Sequence, residues 1–182
     1  MDIFLVRHGE AAASWGQASD PGLSELGVEQ AAAAADALYP QLVPDVQLLS
    51  SPLKRALDTA APLAAALGAP VRVNEAFREV LAPVPLAERQ AWLRQFMQQQ
   101  WAEQPENLRQ WRRGAIEELL ALDSPAVVYT HFLVINAVVG QLVGDEKILH
   151  FWPDNGSITQ LCVHDRQLEL VALGAQMKTV VN

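Results

Sequence analysis

The chain has 182 residues, 51% of them hydrophobic and 19% charged, a composition that excludes a disordered chain and allows one sizeable core without staples. Its formal net charge of -8 and pI of about 4.9 oppose nonspecific attraction to nucleic acid or an acidic membrane, so any anion site must be local. The lone Cys162 has no partner for an internal disulfide.

After Asp2, residues 3–6 form an apolar strand-forming run that ends against Arg7, His8 and Gly9. "LSELGVEQAAAAADALYP" predicts an alanine-rich helix with Ser24 as its cap and Pro40 helping to stop it. "DVQLLSS" at 45–51 predicts a second strand. "PLKRALDTAAPLAAALG" predicts a helix with Pro52 in its first turn, a kink at Pro62 and Gly68 near its end. "PVRVN" reads as a short third strand. From 75 to 124 the pattern becomes mainly helical, rich in Gln and Trp, and broken by Pro83, Pro85 and Pro105. "AVVYT" then predicts a fully buried strand, "HFLVINAVVGQLVG" a mostly apolar helix, and "GSITQLCVHD" with "QLELVALG" a closing strand pair, with Cys162 a small core residue.

The alternation predicts an α/β fold, a three-layer α/β/α sandwich with a mainly parallel central sheet. One domain is expected over 1–182, with a helical insertion or lid within it at 80–124. No basic leader precedes an apolar run, and "AVVYTHFLVINAVVG" is too short and too polar at its centre to span a bilayer; the expected location is cytoplasmic, without membrane or nucleic-acid partners.

Strand ends in such a sheet are where loops and helix termini converge on a ligand. At the first, Arg7 can grip two phosphate oxygens through its planar fork, His8 can present a neutral ring nitrogen to phosphorus, and Gly9 lets backbone approach closely. The bland reading is an ordinary strand end with surface Arg and His. Arg55 follows the second strand in the first helical turn, where a second guanidinium would balance phosphate charge; Lys54 points elsewhere around the helix and reads as solvated. Glu79, among apolar neighbours, can protonate a leaving oxygen if partly desolvated. His131 repeats the placement of His8 at the end of "AVVYT", where it either stabilises a transferring phosphoryl group or caps the next helix. His150 and His164 lack a metal-ligand cluster and read as structural or solvent-facing.

"LVRHGEA" at 5–11, "GLSELGVEQA" at 22–31, "SSPLKRALDTA" at 50–60, "FRE" at 77–79 and "VVYTH" at 127–131 together resemble the histidine phosphatase superfamily, the phosphoglycerate-mutase-like group, over nearly the whole chain. The resemblance implies that His8 is phosphorylated, that Arg7 and Arg55 grip phosphate, that Glu79 is the acid, and that His131 is the second histidine. It implies a phosphomonoester hydrolase acting on a small phosphorylated metabolite, with no metal or other cofactor, as a monomer or homodimer. Phe132 stands where family members commonly have glycine, and either walls the substrate pocket or packs beneath it. The stretch after Glu79 lacks the tyrosine-containing pattern of the mutases, which favours the phosphatase branch. A phosphohistidine-protein phosphatase and a noncatalytic phosphate-binding module are the alternatives.

Substrate selection is expected from the insertion. Trp92, Phe96, Met97, Trp101 and Trp111 either roof the pocket or form core, since Trp92 and Phe96 have the i,i+4 spacing of one helical face. Arg89, Arg94, Arg109, Arg112 and Arg113 read as a solvated face with some chance for anion contacts. Trp15 and Gln17, in the loop after His8, are candidate substrate contacts.

Overall fold

The computed structural model describes residues 1–13 and 19–177. β1 (Asp2–Arg7) is followed by α1 (Glu25–Leu38), β2 (Gln47–Ser50), α2 (Lys54–Leu67) and β3 (Val71–Val73). A helical segment carrying α3 (Arg89–Phe96) and α4 (Glu106–Leu120) leads to β4 (Ala126–Thr130), α5 (Phe132–Val143), β5 (Ile158–His164) and β6 (Gln167–Ala172). The six strands form one sheet in the order β3-β2-β4-β1-β5-β6. The first four are mutually parallel, and β5 and β6 close it in antiparallel pairing.

The two-residue period of the strands sorts the core into two faces. Phe4, Val6, Leu48, Val127 and Tyr129 meet Ala34, Ala35 and Leu38 of α1 and Ala56, Ala60 and Leu63 of α2. Ile3, Leu5, Leu49, Ala126 and Val128 meet Ala115 and Leu119 of α4 and Val134, Ile135 and Val138 of α5. The result is the three-layer sandwich. Every residue of β4 is buried, as expected for a parallel strand covered on both faces.

Local signals account for some helix ends. The Ser24 side chain accepts the Gly27 amide at 3.0 Å and caps α1, and Gly68, at φ +60°, ends α2 in the left-handed region. α2 differs at its start. It begins at Lys54, with Pro52 outside it, because Leu53 is extended and the Lys54 amide donates to the Asp20 carboxylate at 2.8 Å. The helix continues through Pro62. Cys162 is only half-buried: Thr159 and Leu161 take the inward positions of β5, and Cys162 lies opposite Glu169 of β6.

The aromatic set packs chiefly on itself. Phe96 and Trp101 are buried with Val80, Leu93 and Leu108 against Phe132, Leu133 and Ala137 of α5, while Trp92 stacks on Phe96 at 4.7 Å and Trp111 on Trp101 at 6.2 Å. This third cluster seats α3 on the first turns of α5. Among the described residues no helix is long and apolar enough to cross a membrane.

Candidate active site

β1 and β4 are neighbours, yet the chain leaves β1 for the α1 face and β4 for the α5 face. A crevice opens where such connections diverge, beyond the carboxyl ends of the two strands. The register pairs Arg7 with Thr130, so the next residues, His8 and His131, stand side by side with ring centroids 5.2 Å apart. β2 pairs Ser50 with Tyr129 and thereby delivers Ser51 to His131 and, through the turn into α2, Arg55 to His8.

His8 is held on both sides of its ring. Its Nδ1 lies 2.6 Å from the Gly9 carbonyl, which can only accept, so Nδ1 carries the proton. Nε2 keeps its lone pair and accepts from Arg55 Nε at 3.1 Å. Burial, reinforced by the charges of Arg55 and Arg7, pushes the His8 pKa down to about 3 against the pull of the Gly9 bond, so the ring is neutral at neutral pH. The backbone is fixed as well. The His8 amide donates to Thr130, its carbonyl accepts from Asn155 Nδ2 at 3.0 Å, and the Gly9 amide donates to Thr59 Oγ1 at 3.0 Å.

Gly9 does let backbone approach closely, and the backbone it meets is that of Gly27. A Cβ on Gly9 would lie 2.4 Å from the Gly27 carbonyl oxygen, and a Cβ on Gly27 would lie 2.1 Å from that of Glu10. The two glycines let the loop after β1 lie directly on the first turn of α1, where Ser24 Oγ donates to the Glu10 carboxylate and the Glu10 amide to Gln30.

His131 is fully buried, and its Nε2 lies 2.7 Å from Ser51 Oγ. Ser51 is buried and its hydroxyl proton has no other acceptor among the described residues, so it goes to Nε2. His131 is then the Nδ1–H tautomer, and that nitrogen has no partner among the described residues. Burial, with His8, Arg55 and Arg7 adding to it, holds the pKa well below the usual histidine range. His131 is thus a neutral donor beside His8.

The Arg7 guanidinium donates to the Pro153 carbonyl at 2.8 Å and lies 5.1 Å over the Phe132 ring. Phe132 is itself buried and packs on Trp152 at 5.4 Å. It forms a shelf under the arginine. Burial lowers Arg7 to about 10 despite Glu79 and Asp154, a value at which it is still charged at neutral pH. Arg55 is also lowered by burial. Glu79 receives the Val80 amide on Oε1 at 3.1 Å and the Leu133 amide on Oε2 at 3.2 Å. These bonds and the fields of Arg55 and Arg89 favour the anion, but complete burial outweighs them and raises the carboxyl above the ordinary range.

A cleft of about 410 Å³ opens over this floor, lined by Arg7, His8, Glu10, Ala11, Ala13, Gln90 and Asn155. Arg55, Glu79 and His131 lie beneath, at 4%, 2% and 0% exposure. Trp15 and Gln17 fall outside the described residues. Lys54 points away and pairs with Asp58 at 2.8 Å. The sequence carried no signal for Asn155 or Gln90, which reach the cleft only through the tertiary fold. Ser51 was available as a polar residue at a strand end, and Arg89, placed above as solvated, acts electrostatically on Arg55, Glu79 and His131.

None of the curated proteins matches the sequence. Among solved structures, a mycobacterial glucosyl-3-phosphoglycerate phosphatase in complex with VO3 is 27% identical, covering 96% of this chain and 99% of its own with a TM-score of 0.71. Mycobacterial hydrolase 1 is 26% identical over 97% of this chain and 99% of its own, TM-score 0.73. A phosphoserine phosphatase from Entamoeba histolytica, in complex with 3-phosphoglyceric acid, shares the fold at 20% identity, TM-score 0.73, over 96% and 97% of the two chains. The family model of the histidine phosphatase superfamily, branch 1, matches residues 3–176, and with the strand-end pair of histidines in place the chain belongs to that superfamily.

Proposed function

We propose that this protein hydrolyses small-molecule phosphomonoesters through a phosphohistidine on His8. The observation that carries the reading is the fixed His8 tautomer: a neutral ring whose Nε2 lone pair faces the Arg55 guanidinium, with the Arg7 charge also acting on it. On arrival of a phosphate ester, Arg55 Nε exchanges the His8 lone pair for a phosphoryl oxygen and frees the nucleophile. Nε2 attacks phosphorus, the ester P–O bond breaks, and Glu79 gives its proton to the departing alcohol oxygen. Arg7, Arg55 and His131 Nδ1–H carry the charge on the remaining phosphoryl oxygens. Glu79, now a carboxylate, takes a proton from water, which attacks the phosphohistidine; His8 is restored and inorganic phosphate leaves.

The raised Glu79 supports an alcohol leaving group, because protonation helps most where the leaving oxygen is basic, whereas a phosphohistidine substrate needs less acid assistance. The mycobacterial relative that acts on glucosyl-3-phosphoglycerate supports the same substrate class. We assign selection among such substrates to the helical segment that carries Arg89 and Gln90. The test is phosphate release from a panel of phosphometabolites in the presence of chelator, beside His8→Ala. Selective turnover by the parent, an acid-labile phosphoryl label on it, and at least about a 10⁴-fold loss in the variant are expected. Release from phosphoproteins alone would shift the reading to a protein phosphohistidine phosphatase, and full activity of His8→Ala would overturn the nucleophile.

A further inference from the structure

A second hollow, of about 400 Å³, lies where α4 meets the end of α5 and the turn at Trp101, and it shares no lining residue with the catalytic cleft. Arg112 lines it. That side chain is 6% exposed, yet its Nε and Nη2 have no acceptor among the described residues, and its Nη1 has only Glu146 at 3.7 Å. The guanidinium lies 4.8 Å over the Trp101 ring, and Trp101 Nε1 is likewise buried without an acceptor. Three buried donor nitrogens are thus gathered on two side chains in contact, where folded proteins nearly always supply an acceptor.

Arg109, Arg112 and Arg113 line the hollow beside Glu117 and Glu146, and Arg112 alone of the three keeps buried N–H groups without an acceptor among the described residues. Arg109 and Arg113 are held in place by Glu106, which does not line the hollow. Burial depresses the Arg112 guanidinium, and only Glu146 acts against it. The remaining wall is Trp101, Ala102 and Ile116, with Gln141 beside them.

We propose that this hollow is a second anion site, for a small organic carboxylate or phosphate whose oxygens take the free N–H groups of Arg112 and Trp101. A side-chain rotation of Arg112 turns its unused edge to the ligand, and the carbon skeleton lies on Ile116. The site adjoins the catalytic segment, since Trp101 stacks on Trp111, and Trp111 Nε1 donates at 3.0 Å to the carbonyl of Arg78, the residue before Glu79.

The five tryptophans give separate indole N–H signals in a nitrogen-15 NMR spectrum, assignable by single Trp→Phe variants. Trp152, packed on the shelf under Arg7, reports the catalytic cleft, and Trp101 reports the hollow. Inorganic phosphate and acetate are titrated separately. A Trp101 shift with phosphate alone assigns a phosphoryl ligand, with acetate alone a carboxylate, and with both a general oxyanion site. Arg112→Met is expected to weaken the Trp101 response about tenfold to a hundredfold and leave the Trp152 response to phosphate unchanged. Arg7→Met is expected to do the reverse. Should Arg112→Met fail to fold, Ile116→Glu, which adds a like charge to the wall, carries the same expectation. No Trp101 response to either anion, or one that survives Arg112→Met or vanishes with Arg7→Met, overturns the proposal.

Discussion

His8 has its amide on Thr130, its carbonyl on Asn155 and its ring between Gly9 and Arg55. Arg89 and Gln90, by contrast, stand at the start of the eight-residue α3, which is seated through Leu93 and Phe96 in an apolar cluster. The first arrangement fixes atoms through directional bonds from three other segments and the adjacent Gly9, whereas the second fixes a surface through packing that tolerates small shifts. Groups that exchange a phosphoryl or a proton need placement to a fraction of an ångström, and strand ends supply it. A group that only chooses between substrates can ride on a short helix. Substitutions at the strand ends should therefore change the chemistry, and substitutions on the helical segment should change affinity.

After the loss expected of His8→Ala, the largest effect is at Glu79. Glu79→Gln should slow hydrolysis of alkyl phosphates by about 10²–10⁴-fold and of aryl phosphates much less, read from kcat across a leaving-group series. An equal loss for both would remove Glu79 from the acid role. Next is the pH dependence of stability. Folded His8 titrates at about 3 and an ordinary histidine at 6.5, so across that window the unfolded chain binds more protons and stability rises with pH. Glu79 acts with opposite sign, since a raised carboxyl favours the folded state at low pH and loses that advantage as pH rises. The His8 contribution is thus the difference between parent and His8→Asn, whose urea midpoint should fall less on acidification; parallel curves would show that His8 titrates normally.

A pair of glycines gives a finer test. Gly27→Ala drives a methyl to within 2.1 Å of the Glu10 carbonyl oxygen and should cost about 1–3 kcal/mol, lowering Tm by several degrees. Gly114, in α4, has nothing within 4 Å of the same added atom. Gly114→Ala should stabilise by about 0.5–1 kcal/mol. Effects of the same sign would break the contrast between the two regions. Of comparable size, Arg89→Met should raise KM by up to about tenfold, or about 1.4 kcal/mol, with kcat little changed. A loss confined to kcat would move Arg89 into the chemistry.

The strands were legible because parallel central strands are short apolar runs, and "AVVYT" coincides with β4 residue for residue. Ser24 and Gly68 marked helix ends through chemistry local to a few residues. The start of α2 was not legible, because the group on its first amide is Asp20, thirty-four positions away. The same separation hid the supports of the site. Ser51 meets His131 across eighty positions and Asn155 meets His8 across 147, and nothing in a one-dimensional pattern reports a neighbour brought by strand order. Arg112 read as one of several surface arginines, since periodicity does not say which side of α4 the aromatic cluster will cover.

β1 lies in the middle of the sheet, between β4 and β5, although it is the first strand in the chain. During synthesis His8, the proposed nucleophile, therefore leaves the ribosome long before Pro153 and Asn155. Until the segment from Pro153 to Ser157 emerges, Arg7 lacks the carbonyl that positions its guanidinium, and His8 lacks the Asn155 amide on its own carbonyl. A nascent chain with α1, β2 and α2 already formed holds both the histidine and Arg55 but not a competent pocket. Long-range pairing of this kind also slows folding. Under the proposed function the site is complete only once this last segment has emerged, so a chain ending before Pro153 is expected not to hydrolyse phosphomonoesters.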